Sequence, residues 1–382
     1  MKVIELFGGI GAPRKALQRL GIEHEVIDYV EIDKFAVKSY NAMYDTNYEP
    51  QDITEWDKDI EVDMIFHGSP CQDFSLAGKQ AGGDLDAGTR SSLMWHTVRI
   101  VKKLKPKYVI WENVKNVISK NHKSTFDKYL KQMEELGYKN YYQVLNAKDY
   151  GIPQNRERVF CISILNNIEF NFPSKQELKI KLKDMLETNV DKKYYLSDNM
   201  KNYIVNTNEK WTGNNNGAII NKTIASTINT GEGSRRCDAS NYVDKTLPEN
   251  FNLQSIKIKN ATKKGYKEAY DGVGVDLAYP DSTTRRGRVQ EQKANTITTS
   301  DNLGVVEELK IRKLTPKECW RLMGFDDQDF EKASKLNSNT QLYKQAGNSI
   351  VVNVLEAIFK ELFKKEKGDE LCDIINDMEK ER

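Results

Sequence analysis

Cysteine and histidine are scarce in this chain, and the scarcity narrows its chemistry. The 382 residues hold five cysteines, Cys71, Cys161, Cys237, Cys319 and Cys372, and four histidines, His24, His67, His96 and His122. The cysteines are odd in number, widely spread and never spaced as Cys-x-x-Cys, which argues against a disulfide framework and a zinc site. The histidines show no ligand spacing, so no metal is expected. No apolar run reaches membrane length and no signal segment precedes the first strand, so a cytoplasmic protein with no membrane partner is expected. An excess of one charge is missing as well: 58 Lys and Arg against 56 Asp and Glu leave a net charge of +2. A nucleic-acid partner therefore has to be argued from local patches. The dinucleotide fingerprint G-x-G-x-x-G is also absent.

What is present centres on Gly68-Ser69-Pro70-Cys71-Gln72-Asp73-Phe74-Ser75. The apolar stretch 62–66 before it reads as a buried strand, and the Gly-rich stretch 78–88 after it is unsuited to a helix interior. A cysteine thus stands where a strand ends and a loop begins, the edge at which open α/β sheets bind ligands. Pro70 fixes its own φ and restricts Ser69. Cys71 is either a nucleophile or a small buried apolar residue.

Upstream, 3–7 reads as a strand, Gly8-Gly9-Ile10-Gly11 as a tight turn and 12–20 as a helix with Pro13 in its first turn. Such a unit brings a ligand close to backbone and a helix N-terminus, although it also serves as a plain βα turn. A second strand, 25–30, ends in Glu31-Ile32-Asp33. An acid there can accept both hydroxyls of a ribose, Ile32 can pack on an adenine and Asp52 can accept from its amine. Singly, each acid reads as a solvated loop charge. A helix over 92–104 and a strand over 108–111 place Glu112 at the same sheet edge as Cys71. A helix over 126–136, a strand near 141–145, the segment Gln154-Asn155-Arg156-Glu157-Arg158 and a strand over 159–164 complete a regular alternation. The expected fold is a doubly wound, mostly parallel α/β sheet over residues 1–173.

Residues 174–310 are polar and rich in Asn, Thr, Lys and Gly, and are expected to form a smaller β-rich domain. Two Thr-rich runs, 223–230 and 295–300, lie near arginines: Arg235 and Arg236 in one case, Arg285, Arg286 and Arg288 in the other. Arginines and short hydroxyls suit contacts to DNA edges and phosphates, although a polar insertion has the same composition. Helical character returns at 311–382. Thr315, Pro316 and Glu318 form a capping box, and the apolar helix from Ile350 to Phe363 needs the first domain to bury it. A charged tail follows.

Six blocks in order resemble the DNA (cytosine-5) methyltransferases: Glu5 to Gly11, Gly68 to Ser75, Glu112-Asn113-Val114, Gln154 to Arg158, Arg312 to Glu318, and Gln345 to Ser349. Glu5 replaces the family's usual Asp and Ala12 a glycine. The resemblance implies S-adenosylmethionine as cofactor, held by Phe7, Gly9, Gly11, Glu31, Ile32, Asp52, Ile53, Pro70, Leu93, Asn348 and Ile350. It implies Cys71 as the thiolate that adds to carbon 6 of a flipped cytosine, Glu112 at N3, Arg158 at O2 with Arg156 beside it, and Asn113 pinning the Pro70-Cys71 turn. The substrate would be double-stranded DNA, contacted by Ser75, Arg90, Arg235, Arg285, Arg288 and Thr298. A monomer is expected, with any cognate restriction endonuclease acting separately. An RNA cytosine methyltransferase is disfavoured by the long segment between Arg158 and Arg312, and a non-catalytic DNA-binding regulator by the intact Cys71, Glu112 and Arg158.

Overall fold

A computed structural model describes residues 1–70, 90–166, 168–195, 256–270, 272–277, 288–291, 293–297, 299, 303–307 and 310–364. Cys71, Ser75, Arg235, Arg285 and Thr298 lie outside these residues, as does the charged tail. The first strands are β1 (Lys2–Leu6), β2 (Glu25–Val30), β3 (Met64–His67) and β4 (Tyr108–Val114). They are followed by β5 (Tyr138–Asn146), the short β6 (Gln154–Asn155) and β7 (Glu157–Leu165). Six of these form one sheet in the order β2-β1-β3-β4-β7-β5. Pairing is parallel from β2 to β4, whereas β7 runs antiparallel to both β4 and β5. The reversal follows from chain length: the link between β5 and β7 is too short for the helical crossover that a parallel pair requires.

Alternation along each strand sends side chains to both faces, and both faces are covered. Val3, Phe66, Ile110 and Phe160 face one core with helices α1 (Ala12–Arg19) and α2 (Lys34–Tyr44). Ile4, Ile65, Val109 and Cys161 face the other with α3 (Met94–Leu104) and α4 (Lys123–Glu135). The helix expected from residue 92 starts later, after a 3-10 turn at Arg90–Leu93.

The later strands are β8 (Ile256–Lys259), β9 (Tyr266–Ala269), β10 (Gly274–Asp276), β11 (Val289–Gln290), β12 (Ala294–Asn295), β13 (Leu303–Glu307) and β14 (Lys310–Lys313), four of which form a small sheet. The order β11-β10-β13-β14 is antiparallel, β8 and β9 form a separate hairpin, and β12 pairs in parallel with β6. Strand β14 continues this sheet through Lys313, past the boundary expected at 310.

The return consists of α5 (Pro316–Arg321), α6 (Asp327–Ser334), α7 (Asn339–Asn348) and α8 (Val352–Phe363). At the start of α5, Thr315 Oγ1 accepts from the Glu318 N–H at 3.2 Å and Glu318 Oε2 from the Thr315 N–H at 2.8 Å. The same carboxylate pairs with Arg312 at 2.8 Å, with both side chains fully buried. Helix α8 buries Val354, Leu355, Ile358 and Phe359 in the core it shares with α1. Arg19 fastens the two helices through Glu356 at 3.1 Å.

Candidate active site

The carboxyl ends of β1 to β4 converge on one edge. Strand β3 ends at His67, and Gly68-Ser69-Pro70 lead to Cys71. Strand β4 holds this turn. Trp111 Nε1 donates to Ser69 Oγ at 2.9 Å, and Asn113 Nδ2 donates to the Ser69 carbonyl at 3.2 Å. Trp111 and Asn113 share one strand face by alternation, so Glu112 between them points the other way. Below Trp111 lies His67, stacked on it with 5.7 Å between centroids, its Nε2 3.2 Å from the Tyr129 hydroxyl. Burial pushes the His67 imidazole down to about 3, so it is neutral and serves as packing.

Glu112 is buried, and its Oε2 lies 4.0 Å from the point a Cβ on Gly68 would occupy. Arg158 reaches it from β7, where Val114 faces Arg158 in register. Arg158 Nε sits 3.0 Å from Glu112 Oε1, close enough to pair in charge although not aligned for a hydrogen bond. Burial raises the Glu112 pKa above the ordinary carboxylate value and outweighs the lowering by Arg158 and Arg156. A small cleft beside the pair is lined by Arg156, Arg158, Phe160, Ile350 and Val354 among others.

Arg156 lines that cleft too, with its guanidinium committed to main-chain partners. Its guanidinium is buried and donates to three main-chain carbonyls: Ile297 at 2.7 Å, Gly347 at 3.0 Å and Ser349 at 2.6 Å. The expected place beside Arg158 is shared in that both line one cleft, and these three bonds give Arg156 a further part: it clamps the segment after β12 and the α7–α8 connection to the large sheet. Gln154 acts alike, donating to the Leu322 carbonyl at 2.6 Å and accepting from the Ile297 N–H at 2.7 Å. The expectation that Arg288 contacts DNA is corrected, since it is fully buried and cannot reach a base edge from there. Arg90 lies in the 3-10 turn before α3.

The expected cofactor residues gather at the β1 and β2 ends. Glu31 Oε2 accepts from the Gly9 N–H at 3.1 Å and Oε1 from the Asp33 N–H at 2.8 Å. Burial raises the Glu31 pKa against these two bonds. The Gln51 N–H donates to the Glu31 carbonyl at 2.9 Å, which brings the Asp52-Ile53 loop alongside. Asp52 is exposed, accepts from Thr54 N–H and Oγ1 at 2.8 and 2.9 Å, and is held below its ordinary pKa chiefly by that backbone bond. Ile53 is buried, with Phe7 and Leu93 half-buried against the same cluster. Ile32 stays 67% exposed, an apolar side chain left for a partner. Asn348, at the end of α7, is exposed, while Ile350 is buried and Pro70 half-buried. A Cβ on Gly9 would meet nothing within 4 Å, so the turn has an open side. These groups fit a nucleoside joined to a small polar chain, as S-adenosylmethionine is.

The model of the C-5 cytosine-specific DNA methylases matches residues 1–364. The chain belongs to that family. This methyltransferase is 35% identical to the type II methyltransferase M2.ScrFI of Lactococcus lactis subsp. cremoris, over 96% of this chain and 100% of that one. It is 33% identical to the orphan methyltransferase M.SPRI of Bacillus phage SPR, over 95% and 97%. Among solved structures, the Entamoeba histolytica methyltransferase EhMeth shares its fold with a TM-score of 0.61 at 18% identity, over 96% and 99%. A putative DNA modification methyltransferase of an Escherichia coli prophage does so at 0.57 and 20%, over 95% and 98%. The enzyme is a DNA (cytosine-5)-methyltransferase related to restriction-modification proteins. Among its described residues no helix is long and apolar enough to cross a membrane, and no group of three His, Cys, Asp or Glu side chains could hold a metal ion.

Trp111 and Ser69 were not singled out in the sequence as partners. Strand alternation carried the signal, since the tryptophan lies two residues before Asn113 on the same face.

Proposed function

We propose that this methyltransferase methylates carbon 5 of a cytosine extruded from double-stranded DNA, through a transient bond from Cys71 to carbon 6. The observation that carries the reading is Glu112, buried beside the turn that leads to Cys71 and paired with Arg158. When bound, S-adenosylmethionine supplies a methyl group made electrophilic by its sulfonium. Carbon 5 of cytosine is a poor nucleophile until the Cys71 thiolate adds at carbon 6. The electrons displaced by that addition need a proton at N3. A buried carboxyl with a raised pKa can hold one and share it. Arg158 turns from Glu112 to O2 when the base enters, and withdrawing its charge favours the protonated carboxyl. Carbon 5 so activated takes the methyl group, and when solvent water removes the carbon 5 proton the 5,6 double bond re-forms and the thiolate leaves. Trp111 and Asn113 keep the Ser69 end of the turn fixed throughout. The target base must leave the stack to reach these groups.

On the cofactor side, Glu31 takes the ribose hydroxyls, Ile32 and the Asp52-Ile53 loop the adenine, and the Gly9 to Gly11 turn the methionine end, with Phe7, Pro70, Leu93, Asn348 and Ile350 around them. The domains act as a catalytic unit over 1–173, a recognition unit over 174–310 and a C-terminal return, in a cytoplasmic monomer. The test is methylation of a mixed-sequence plasmid in vitro with S-adenosylmethionine, read by bisulfite sequencing. The expected result is 5-methylcytosine at one recurring sequence. Unmodified plasmid, or modification of RNA alone, would contradict it.

A further inference from the structure

Three tyrosines stand behind the glycine turn. Tyr29 comes from β2, and Tyr40 and Tyr44 come from α2, four residues apart on one helix face. All three are buried. The Tyr29 and Tyr40 rings stack with centroids 3.9 Å apart, and Tyr40 and Tyr44 lie 4.7 Å apart. They fill the space that side chains on the turn would need: a Cβ on Gly8 would come within 2.7 Å of Tyr29, and one on Gly11 within 2.6 Å of both Tyr40 and Tyr44.

Their hydroxyls are aimed at the turn. Tyr29 donates to the Gly9 carbonyl at 2.6 Å and Tyr44 to the Gly11 carbonyl at 2.7 Å, which the Lys15 N–H of α1 also reaches at 3.0 Å. Tyr40 donates to Glu5 Oε2 at 2.7 Å, and Glu5 Oε1 accepts the Arg14 N–H at 3.0 Å in the first turn of α1. Phe7, Gly9 and Gly11 have φ of 54°, 54° and 74°, a sequence of left-handed residues that a free chain would not keep. A trans peptide is planar, so holding a carbonyl toward the tyrosines turns the next N–H away from them. Tyr29 thereby directs the Ile10 N–H through the Gly9 carbonyl, whereas the Gly11 carbonyl, and with it the Ala12 N–H, is also fixed by the Lys15 N–H of α1. Neither the Ile10 N–H nor the Ala12 N–H has an acceptor among the described residues.

We infer that the Tyr29 hydroxyl is a positioning group for the methionine end of the cofactor, because it sets the direction of the Ile10 N–H, which would receive its carboxylate. The inference rests on the S-adenosylmethionine reading above. It separates the cofactor into two halves: the nucleoside half meets Glu31, Ile32 and Asp52, and only the amino-acid half depends on the Tyr29 hydroxyl. Phenylalanine keeps the rings, and so the packing, while removing the hydroxyls.

The test is calorimetric titration of the whole protein with S-adenosylmethionine and, separately, with adenosine. In wild type both should bind. In Tyr29→Phe, S-adenosylmethionine should weaken about tenfold, the effect of losing one oriented hydrogen bond, while adenosine affinity stays the same; Tyr44→Phe, whose carbonyl partner keeps the Lys15 bond, should leave both ligands near wild type. Equal weakening of both ligands in Tyr29→Phe, or of neither, would overturn the positioning role. Loss of adenosine affinity alone would overturn it as well. A wild type that binds adenosine but not S-adenosylmethionine would instead overturn the cofactor reading.

Discussion

Replacing Arg156 by Met separates a structural clamp from a substrate contact. The guanidinium makes three hydrogen bonds to main-chain carbonyls of Ile297, Gly347 and Ser349, all in a buried setting. A hydrogen bond from a charged donor contributes roughly 1.5–3 kcal/mol, and its loss leaves a buried acceptor unpaired. Together the three put the cost of Arg156→Met on the order of 5 kcal/mol, a large share of the 5–15 kcal/mol typical of a folded domain. Arg156→Lys can satisfy one carbonyl and should recover roughly 2 kcal/mol of that. Urea midpoints of the two variants give these differences. Single-turnover methylation by the folded fraction should stay within about tenfold of wild type, below about 1.4 kcal/mol of barrier. A Lys variant as stable as wild type, but slowed a hundredfold or more, would refute the clamp and return Arg156 to the substrate.

Two further outcomes are expected. Glu5 is fully buried, and burial raises its pKa from 4.5 to about 7 despite the bonds from Tyr40 and Arg14. Between those values the folded state binds the proton more tightly than the unfolded chain, so stability due to this group falls as pH rises, by on the order of 3 kcal/mol in all. Urea unfolding at pH 5 and pH 8 should therefore show Glu5→Gln gaining on wild type at the higher pH, and parallel stabilities would contradict the assignment. Trp111→Phe removes the bond to Ser69 Oγ while keeping the ring. It should slow single-turnover methylation by about five- to tenfold, with S-adenosylmethionine affinity unchanged, and an unchanged rate would show that Ser69 is held without it.

Much of this arrangement could be read from the sequence because short-range rules govern it. The glycine turn, the acid at the end of β2, the alternation around Glu112 and the Thr315 capping box all depend on residues within a few positions of one another. Arg156 and Arg158 resisted such reading for a physical reason. They lie two apart, and both could have faced the base. What sets their partners apart is the arrival of Ile297 and of the Gly347 to Ser349 carbonyls from more than a hundred residues away. Arg288 misled in the same way: an arginine in a polar, Thr-rich stretch suggests a surface, whereas the packing of the small sheet encloses it. The tyrosines behind the glycine turn were equally invisible, since only the docking of α2 on β2 brings Tyr29, Tyr40 and Tyr44 together.

The central claim is the bond from Cys71 to carbon 6, and its release only after the proton at carbon 5 is lost. Fluorine at carbon 5 blocks that release. A duplex carrying 5-fluorocytosine at the target, incubated with S-adenosylmethionine, should leave a denaturation-resistant adduct that peptide mapping places on Cys71. Glu112→Gln should form it more slowly, because the proton for N3 is missing, and Cys71→Ser should form none, because a hydroxyl has no comparable anion near neutral pH. An adduct that persists in Cys71→Ser, or one mapped to Cys161, Cys237, Cys319 or Cys372, would contradict the account.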